Sequence, residues 1–178
     1  MSQAAPAPNP TRRDFLVLSA AAFATVGAAA AIWPLLDSMN PSAAARAEAT
    51  TEVDLAPIKP GQIVTVRWRG KPVFIAHRTP EQIAAAERDD NAATIDRARD
   101  RDRFQRREWL VVVGVCTHLG CVPTSRAVGD LVPRFGGWVC ACHYSQYDIS
   151  GRVRRGPAPA NLQVPPHTFA DPDRLIIG

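Results

Sequence analysis

Aromatic side chains are scarce, at 7% of 178 residues, and neither sign of charge dominates, with 21 Lys and Arg against 17 Asp and Glu. Few rings and no Lys/Arg stripe leave nucleic-acid binding without support. Cysteine is sparse too. Four in the whole chain are too few for a disulfide-dense scaffold, which a core of this size does not need. A composition of 46% hydrophobic and 21% charged residues excludes both a disordered tail and a polytopic membrane protein, and suits one domain with an appendage. With only four Cys and four His, any clustering of these residues is informative, and six of the eight fall in two short segments.

The appendage is N-terminal. Residues 1–10 are rich in Ala, Pro and Asn, the composition of a disordered tail. Thr11-Arg12-Arg13-Asp14-Phe15-Leu16 resembles the twin-arginine export signal, with Val17 where a Lys is common. That pathway is receptor-read and carries folded proteins. Residues 1–14 are therefore assigned as a cytoplasmic segment bearing this signal. From Phe15 to Leu36 there are 22 residues without a charge, enough for a helix of roughly 33 Å. Small-residue sites at Ala45-Arg46-Ala47 and Ala47-Glu48-Ala49 suit cleavage, but the apolar stretch exceeds the about 7–15 residues of a signal core. A retained transmembrane anchor over 15–36 is the expectation, with Pro34 ending or bending it. The arginines place its N-terminus inside and the rest of the chain outside. Residues 37–50 contain Pro41 and many small side chains and read as a flexible hinge.

Residues 51–178 are the size of one small domain, and their pattern is mainly β. Ile63–Trp68 and Lys71–Ala76 are β-rich runs joined across Arg69-Gly70, a hairpin. Leu110–Val115 is short and wholly apolar, as in a strand buried on both faces, and Leu175–Ile177 is a last strand. Thr79-Pro80-Glu81-Gln82 has the N-cap, first-turn proline and capping-box partner of a helix start. Residues 81–108 then carry 8 acidic and 7 basic side chains. The expectation is a solvated helical insertion over 80–107, broken around Asp89-Asp90-Asn91, whose charges face water.

The chemistry lies in Cys116-Thr-His118-Leu119-Gly-Cys121 and in Cys140-Ala-Cys142-His143-Tyr-Ser145-Gln-Tyr147. A closed zinc site takes four Cys/His ligands and leaves two groups idle. A plant-type [2Fe–2S] cluster takes four Cys and leaves both His unexplained. A third arrangement uses all six: two thiolates on one iron, two imidazoles on the other, and a disulfide from the spare pair, which an exported protein can keep.

These boxes resemble those of the Rieske iron–sulfur family, C-x-H-x-x-C and C-x-C-H-x-S, and more closely those of its cytochrome bc1 branch, C-T-H-L-G-C and C-P-C-H-G-S-x-Y. The likeness extends to the anchor, the linker, Glu108–Val113 before the first box and Gly151–Pro159 after the second. It implies an antiparallel β-sandwich head with a cluster-binding subdomain at about 115–159 and one Rieske-type [2Fe–2S] cluster. By the same resemblance Cys116 and Cys140 would bind the inner iron, His118 and His143 the outer one, and Cys121 and Cys142 would form the disulfide. The hydroxyls of Ser145 and Tyr147 would donate to cluster or cysteine sulfur. Leu119 would shield the cluster and touch the quinone, and Gly156–Pro159 would cover it. Imidazole ligation and such donors place the potential toward the top of a range of roughly −150 to +300 mV.

The function implied is that of a catalytic subunit of quinol–cytochrome-c reductase. With His118 and His143 as catalytic ligands, it would take an electron and a proton from ubiquinol. It would pass the electron to cytochrome c1, beside cytochrome b, in a dimeric complex of the bacterial inner membrane with the head in the periplasm. An arsenite-oxidase-type Rieske subunit, a Rieske ferredoxin and a structural zinc protein are the competing readings. Two residues depart from the family pattern: Ala141 replaces its Pro and Tyr144 its Gly. The expectation at Tyr144 is an allowed conformation, in place of a positive φ, with the ring turned outward. His77 and His167 lie outside both boxes and read as packing or surface histidines.

Overall fold

The computed structural model describes residues 11–42 and 49–178. The N-terminal tail, both small-residue cleavage sites and the middle of the 37–50 linker therefore lie at least partly outside the described residues. Two compact units emerge, one comprising the N-terminal helix and the other the head from Ala47 onward.

Helix α1 runs from Arg12 to Asp37. Thr11 caps it: its hydroxyl accepts from the Asp14 N–H, and Asp14 Oδ2 accepts the Thr11 N–H at 2.8 Å. This capping box starts the helix at the arginines, three residues before the apolar stretch. None of the described α1 side chains is buried, and the helix is long and apolar enough to cross a bilayer. Of the two outcomes expected at Pro34, ending or bending, the helix does not end there: α1 continues to Asp37. So near the C-terminus the missing N–H removes a single hydrogen bond, which one terminal turn tolerates.

Among the described residues the head has nine strands: β1 Thr51–Asp54, β2 Ile63–Trp68, β3 Lys71–His77, β4 Trp109–Val113, β5 Gly136–Val139, β6 Gln146–Asp148, β7 Val153–Arg155, β8 His167–Asp171 and β9 Arg174–Ile177. They form three antiparallel sheets, ordered β1-β9-β8, β2-β3-β4 and β5-β6-β7. The β2–β3 hairpin pairs Val66 with Val73 and Ile63 with Ala76, and β3 pairs Phe74 with Val112. Side chains alternate along a strand, and here both faces of the middle sheet are buried. Val73, Ile75 and Val111 join Val53, Trp68, Leu175 and Ile177 in one core. Phe74, Ala76, Leu110 and Val112 join Trp138, Tyr147, Val153 and Leu162 in another, which also contains Cys116 and Cys140. The unbroken apolar run of β4 is the consequence of serving two cores.

The charged insertion differs from expectation. Only α2, Pro80–Arg88, is α-helical, capped by Thr79 and Gln82 with Pro80 in its first turn. Short 3-10 turns follow at Asp89–Asn91 and Asp100–Arg103. Nor do the charges all face water. Asp100 is fully buried and meets Arg78 at 2.6 Å. Arg152, equally buried, meets Asp90 at 2.6 Å and Asp148 at 2.8 Å and donates to the Ala86 carbonyl. Arg103 donates to the carbonyls of Ser150 and Leu162. Several of these partners lie outside the insertion, so its internal charge balance conceals a buried ionic seam against the β6–β7 region.

Removing one member of a buried pair strands the other charge. Arg152→Met should lower the unfolding free energy of the detergent-solubilised chain by about 3–5 kcal/mol, read from the shift in denaturant midpoint. A change under about 1 kcal/mol would mean that Asp148 and Asp90 find other partners.

Candidate functional site

Two loops of the same construction follow β4 and β5. In the first, the Cys116 N–H donates to the Cys121 carbonyl at 2.7 Å and the Gly120 N–H to the Cys116 carbonyl at 2.9 Å. In the second, the Cys140 N–H donates to the Ser145 carbonyl at 2.8 Å and the Tyr144 N–H to the Cys140 carbonyl at 2.9 Å. Gly120 and Tyr144 thus hold equivalent places, and both are left-handed, with φ of 84° and 61°. This corrects the expectation for Tyr144: the doubly closed loop needs positive φ at this point whichever residue stands there. The ring does turn outward, 67% exposed. Matching the two boxes in register, Cys116 to Cys140 and Gly120 to Tyr144, is the sequence signal that would have revealed it.

A disulfide joins Cys121 to Cys142 and so ties one loop to the other. The sulfurs of Cys121, Cys140 and Cys142 lie within 4.8 Å of one another. With two of them in a disulfide, only Cys140 of this trio can be a thiolate donor. The free thiols are Cys116 and Cys140, both buried. The rings of His118 and His143 meet edge to face, 4.7 Å between centroids. His143 is exposed, while the Nδ1 of His118 is buried without a hydrogen-bond partner among the described residues.

Donors surround the Cys116 sulfur. The Tyr147 hydroxyl donates to it at 3.3 Å and accepts the Thr117 N–H at 3.2 Å. Ser145 is fully buried, and its Oγ accepts the Ala158 N–H at 3.1 Å. Burial pushes the Cys116 thiol up, but hydrogen bonds from Tyr147, the His118 backbone and other neighbours outweigh it and hold the thiol below its ordinary value. Burial pushes Cys140 up, and the adjacent Cys116 adds to this. Burial, then the same sulfur, pushes the Tyr147 hydroxyl up, so it stays a donor. The pocket thus favours the thiolate form at Cys116 and disfavours it at Cys140, and a cation placed between them would favour both.

This donor set fits a metal cluster. An unpartnered buried nitrogen carries a desolvation penalty of about 1–3 kcal/mol, which coordination would remove, and a cationic metal allows both thiols to ionise. Cys116, Cys140, His118 and His143 are the residues that could hold it. Leu119, 72% exposed, stands at the outer side. Gly156 brings the covering segment close: a Cβ there would lie 2.6 Å from the Ser145 Cα. His77 and His167 are packing residues as expected. His77 stacks on Trp109 and bonds the Ile58 carbonyl through Nδ1, and His167 is buried with its Nδ1 on the Pro165 carbonyl. Thr117, whose hydroxyl donates to the Ala160 carbonyl at 2.6 Å, was not singled out in the sequence; its residue type alone signals nothing beyond lying in the box.

A left-handed non-glycine residue is disfavoured by about 1–2 kcal/mol, partly offset because glycine loosens the unfolded chain. Tyr144→Gly should therefore stabilise the protein by up to about 1 kcal/mol in denaturant titration. A loss of stability would mean that the exposed ring makes compensating contacts.

Comparison with known proteins agrees with this geometry. Residues 2–42 match the family described as Ubiquitinol-cytochrome C reductase Fe-S subunit TAT signal, and residues 50–166 match the Rieske [2Fe-2S] domain. The ubiquinol-cytochrome c reductase iron-sulfur subunit of Rhodospirillum rubrum is 50% identical over 97% of this chain and 94% of its own. That of Bradyrhizobium diazoefficiens is 48% identical over the whole of both. A chain of a hyperthermophilic respiratory Complex III superposes with a TM-score of 0.54 at 28% identity, covering 89% of this chain and 98% of that one. Signal and apolar helix together describe a membrane-anchored subunit with an exported head. The chain belongs to the Rieske [2Fe–2S] family and, within it, to the iron–sulfur subunits of ubiquinol–cytochrome c reductase.

Proposed function

We infer that this chain is the electron-carrying subunit of a cytochrome bc1-type complex, accepting from ubiquinol and delivering to cytochrome c1. Its neighbours are cytochrome b and cytochrome c1 in a dimeric assembly of a bacterial inner membrane, with the head in the periplasm. One observation carries the site assignment: two buried free thiols and the buried Nδ1 of His118, unpartnered among the described residues, lie on two loops tied together by a disulfide. On this reading Cys116 and Cys140 hold one iron and His118 and His143 the other. When bound, a [2Fe–2S] cluster so ligated supplies a one-electron acceptor at raised potential.

The remaining work belongs to the chain itself. His143, exposed at the tip, offers its outer ring nitrogen to a hydroxyl of the quinol, accepts the hydrogen bond and takes the proton. Leu119 and the disulfide between Cys121 and Cys142 flank that contact and limit the approach of water. Tyr147 keeps its proton on the Cys116 side, where a donor to sulfur favours added negative charge. Residues 37–50, with Met39 as their one large apolar side chain, serve as the hinge on which the head moves from cytochrome b to cytochrome c1, and residues 15–36 as the anchor.

Chain purified from membranes should contain two irons and two sulfides and give an EPR signal on reduction. His118→Ala and His143→Ala should each abolish that signal and quinol-dependent cytochrome c reduction, with the chain still present. A zinc-bound, EPR-silent protein would end this reading. Pro-Pro-Pro placed within 37–50 should slow turnover at least tenfold with the EPR signal intact; unchanged turnover would count against the hinge.

A further inference from the structure

The cover over the pocket is held from outside. Residues 156–166 belong to no strand, so no ladder fixes Gly156–Asn161. The segment nevertheless makes two hydrogen bonds with the cluster loops: the Ala158 N–H donates to Ser145 Oγ at 3.1 Å, and the Ala160 carbonyl accepts from the Thr117 hydroxyl at 2.6 Å. Its far end is gripped by Asp96 of the charged insertion. The Asp96 carboxylate accepts the Asn161 N–H at 2.9 Å, and the Asp96 carbonyl accepts from Asn161 Nδ2 at 3.1 Å. Asn161 Oδ1 in turn accepts the Val153 N–H at 2.8 Å, joining the grip to β7.

We propose that Asp96 is a positioning residue for the redox centre: by holding Asn161 it keeps the cover seated and thereby sets the direction in which Ser145 donates. A hydroxyl has one proton and two lone pairs. With a lone pair of Ser145 Oγ taken by the Ala158 N–H, its own proton is left for the sulfur side. Release of the cover frees that rotor and admits water, and a donor that favours the reduced centre is weakened. The inference rests on the cluster reading above.

Asp96 could also act simply as a negative charge, which opposes reduction. The two roles have opposite signs. Redox titration of the full-length chain separates them, alongside amide exchange at Ala158 and Asn161. Asp96→Ala should shift the reduction equilibrium three- to tenfold toward the oxidised form, a factor of ten being about 59 mV for one electron. It should also speed exchange at both amides. Asp96→Asn, whose side-chain oxygen still accepts the Asn161 N–H, should keep the protection and show no such fall. Equal rises in potential for both variants would reduce Asp96 to a charge, and an unmoved potential with lowered Tm would reduce it to a strut; either overturns the proposal. If Asp96→Ala does not accumulate, the wild-type chain still decides: Ala158 and Asn161 amides should exchange as one unit, and independent exchange overturns it. Wild-type chain devoid of iron and sulfide would instead sink the cluster reading.

Discussion

Two buried thiols and a buried ring nitrogen, unpartnered among the described residues, lie on two loops that one disulfide ties together. The rest of the head is organised around that unmet demand. Hydrogen bonds from Tyr147 and from neighbouring backbone stabilise negative charge on Cys116, but Cys140 is pushed the other way. A metal resolves the conflict from outside. Such a pocket is open to collapse or misoxidation before loading. The Cys121–Cys142 link removes the competing cysteines and fixes one loop against the other. A disulfide in this place suits an exported head, and a signal of the twin-arginine type suits a head folded before export.

The placement of the thiols follows from the middle sheet and from the β5-β6-β7 sheet that shares a core with it. β4 leads into the first cluster loop and β5 into the second. Cys116 and Cys140 sit in the same core as Phe74, Leu110, Val112 and Trp138, with the rings of Phe74 and Trp138 stacked at 5.5 Å. Close packing of this kind transmits displacement. The cysteines are therefore positioned by a hydrophobic interior, and the loops add closure. The other core, around Trp68, Trp109 and Leu175, braces the same sheet from behind.

Local features were legible in the sequence. The β2–β3 hairpin, the apolar β4 and the start of α2 at Thr79-Pro80-Gln82 each depend on residues within a few positions, and the two boxes carry their spacing with them. Features that rest on distant partners were not. β6 and β7 have three residues each, include Gln146, Asp148 and Arg155, and show no alternation. Asp148 is buried because Arg152 and Arg154 meet it. The insertion looked solvated for the same reason, since a count of its charges cannot show that Arg78, Arg152 and Arg154 lie elsewhere. Tyr144 fell between these cases: its φ is a local demand, but one visible only when the second loop is laid on the first.

The site divides into a dry side and a wet side, and the division bears on how one centre could handle charge. Cys116, Cys140, Ser145 and Tyr147 are buried, whereas His143, Leu119 and Tyr144 are exposed. Donors on the dry side act in a medium of low dielectric, where a hydrogen bond to sulfur is worth more than in water. A proton acceptor must instead lie where a substrate can reach it, and the histidine at the tip meets that condition. On the proposed reading, separating the two functions across one pocket lets the buried donors set the affinity for the electron without obstructing the proton's path. On the same reading a covering segment without strand structure gains from its hydrogen bonds to Asp96 at the far end, because a seated cover keeps water from the buried donors.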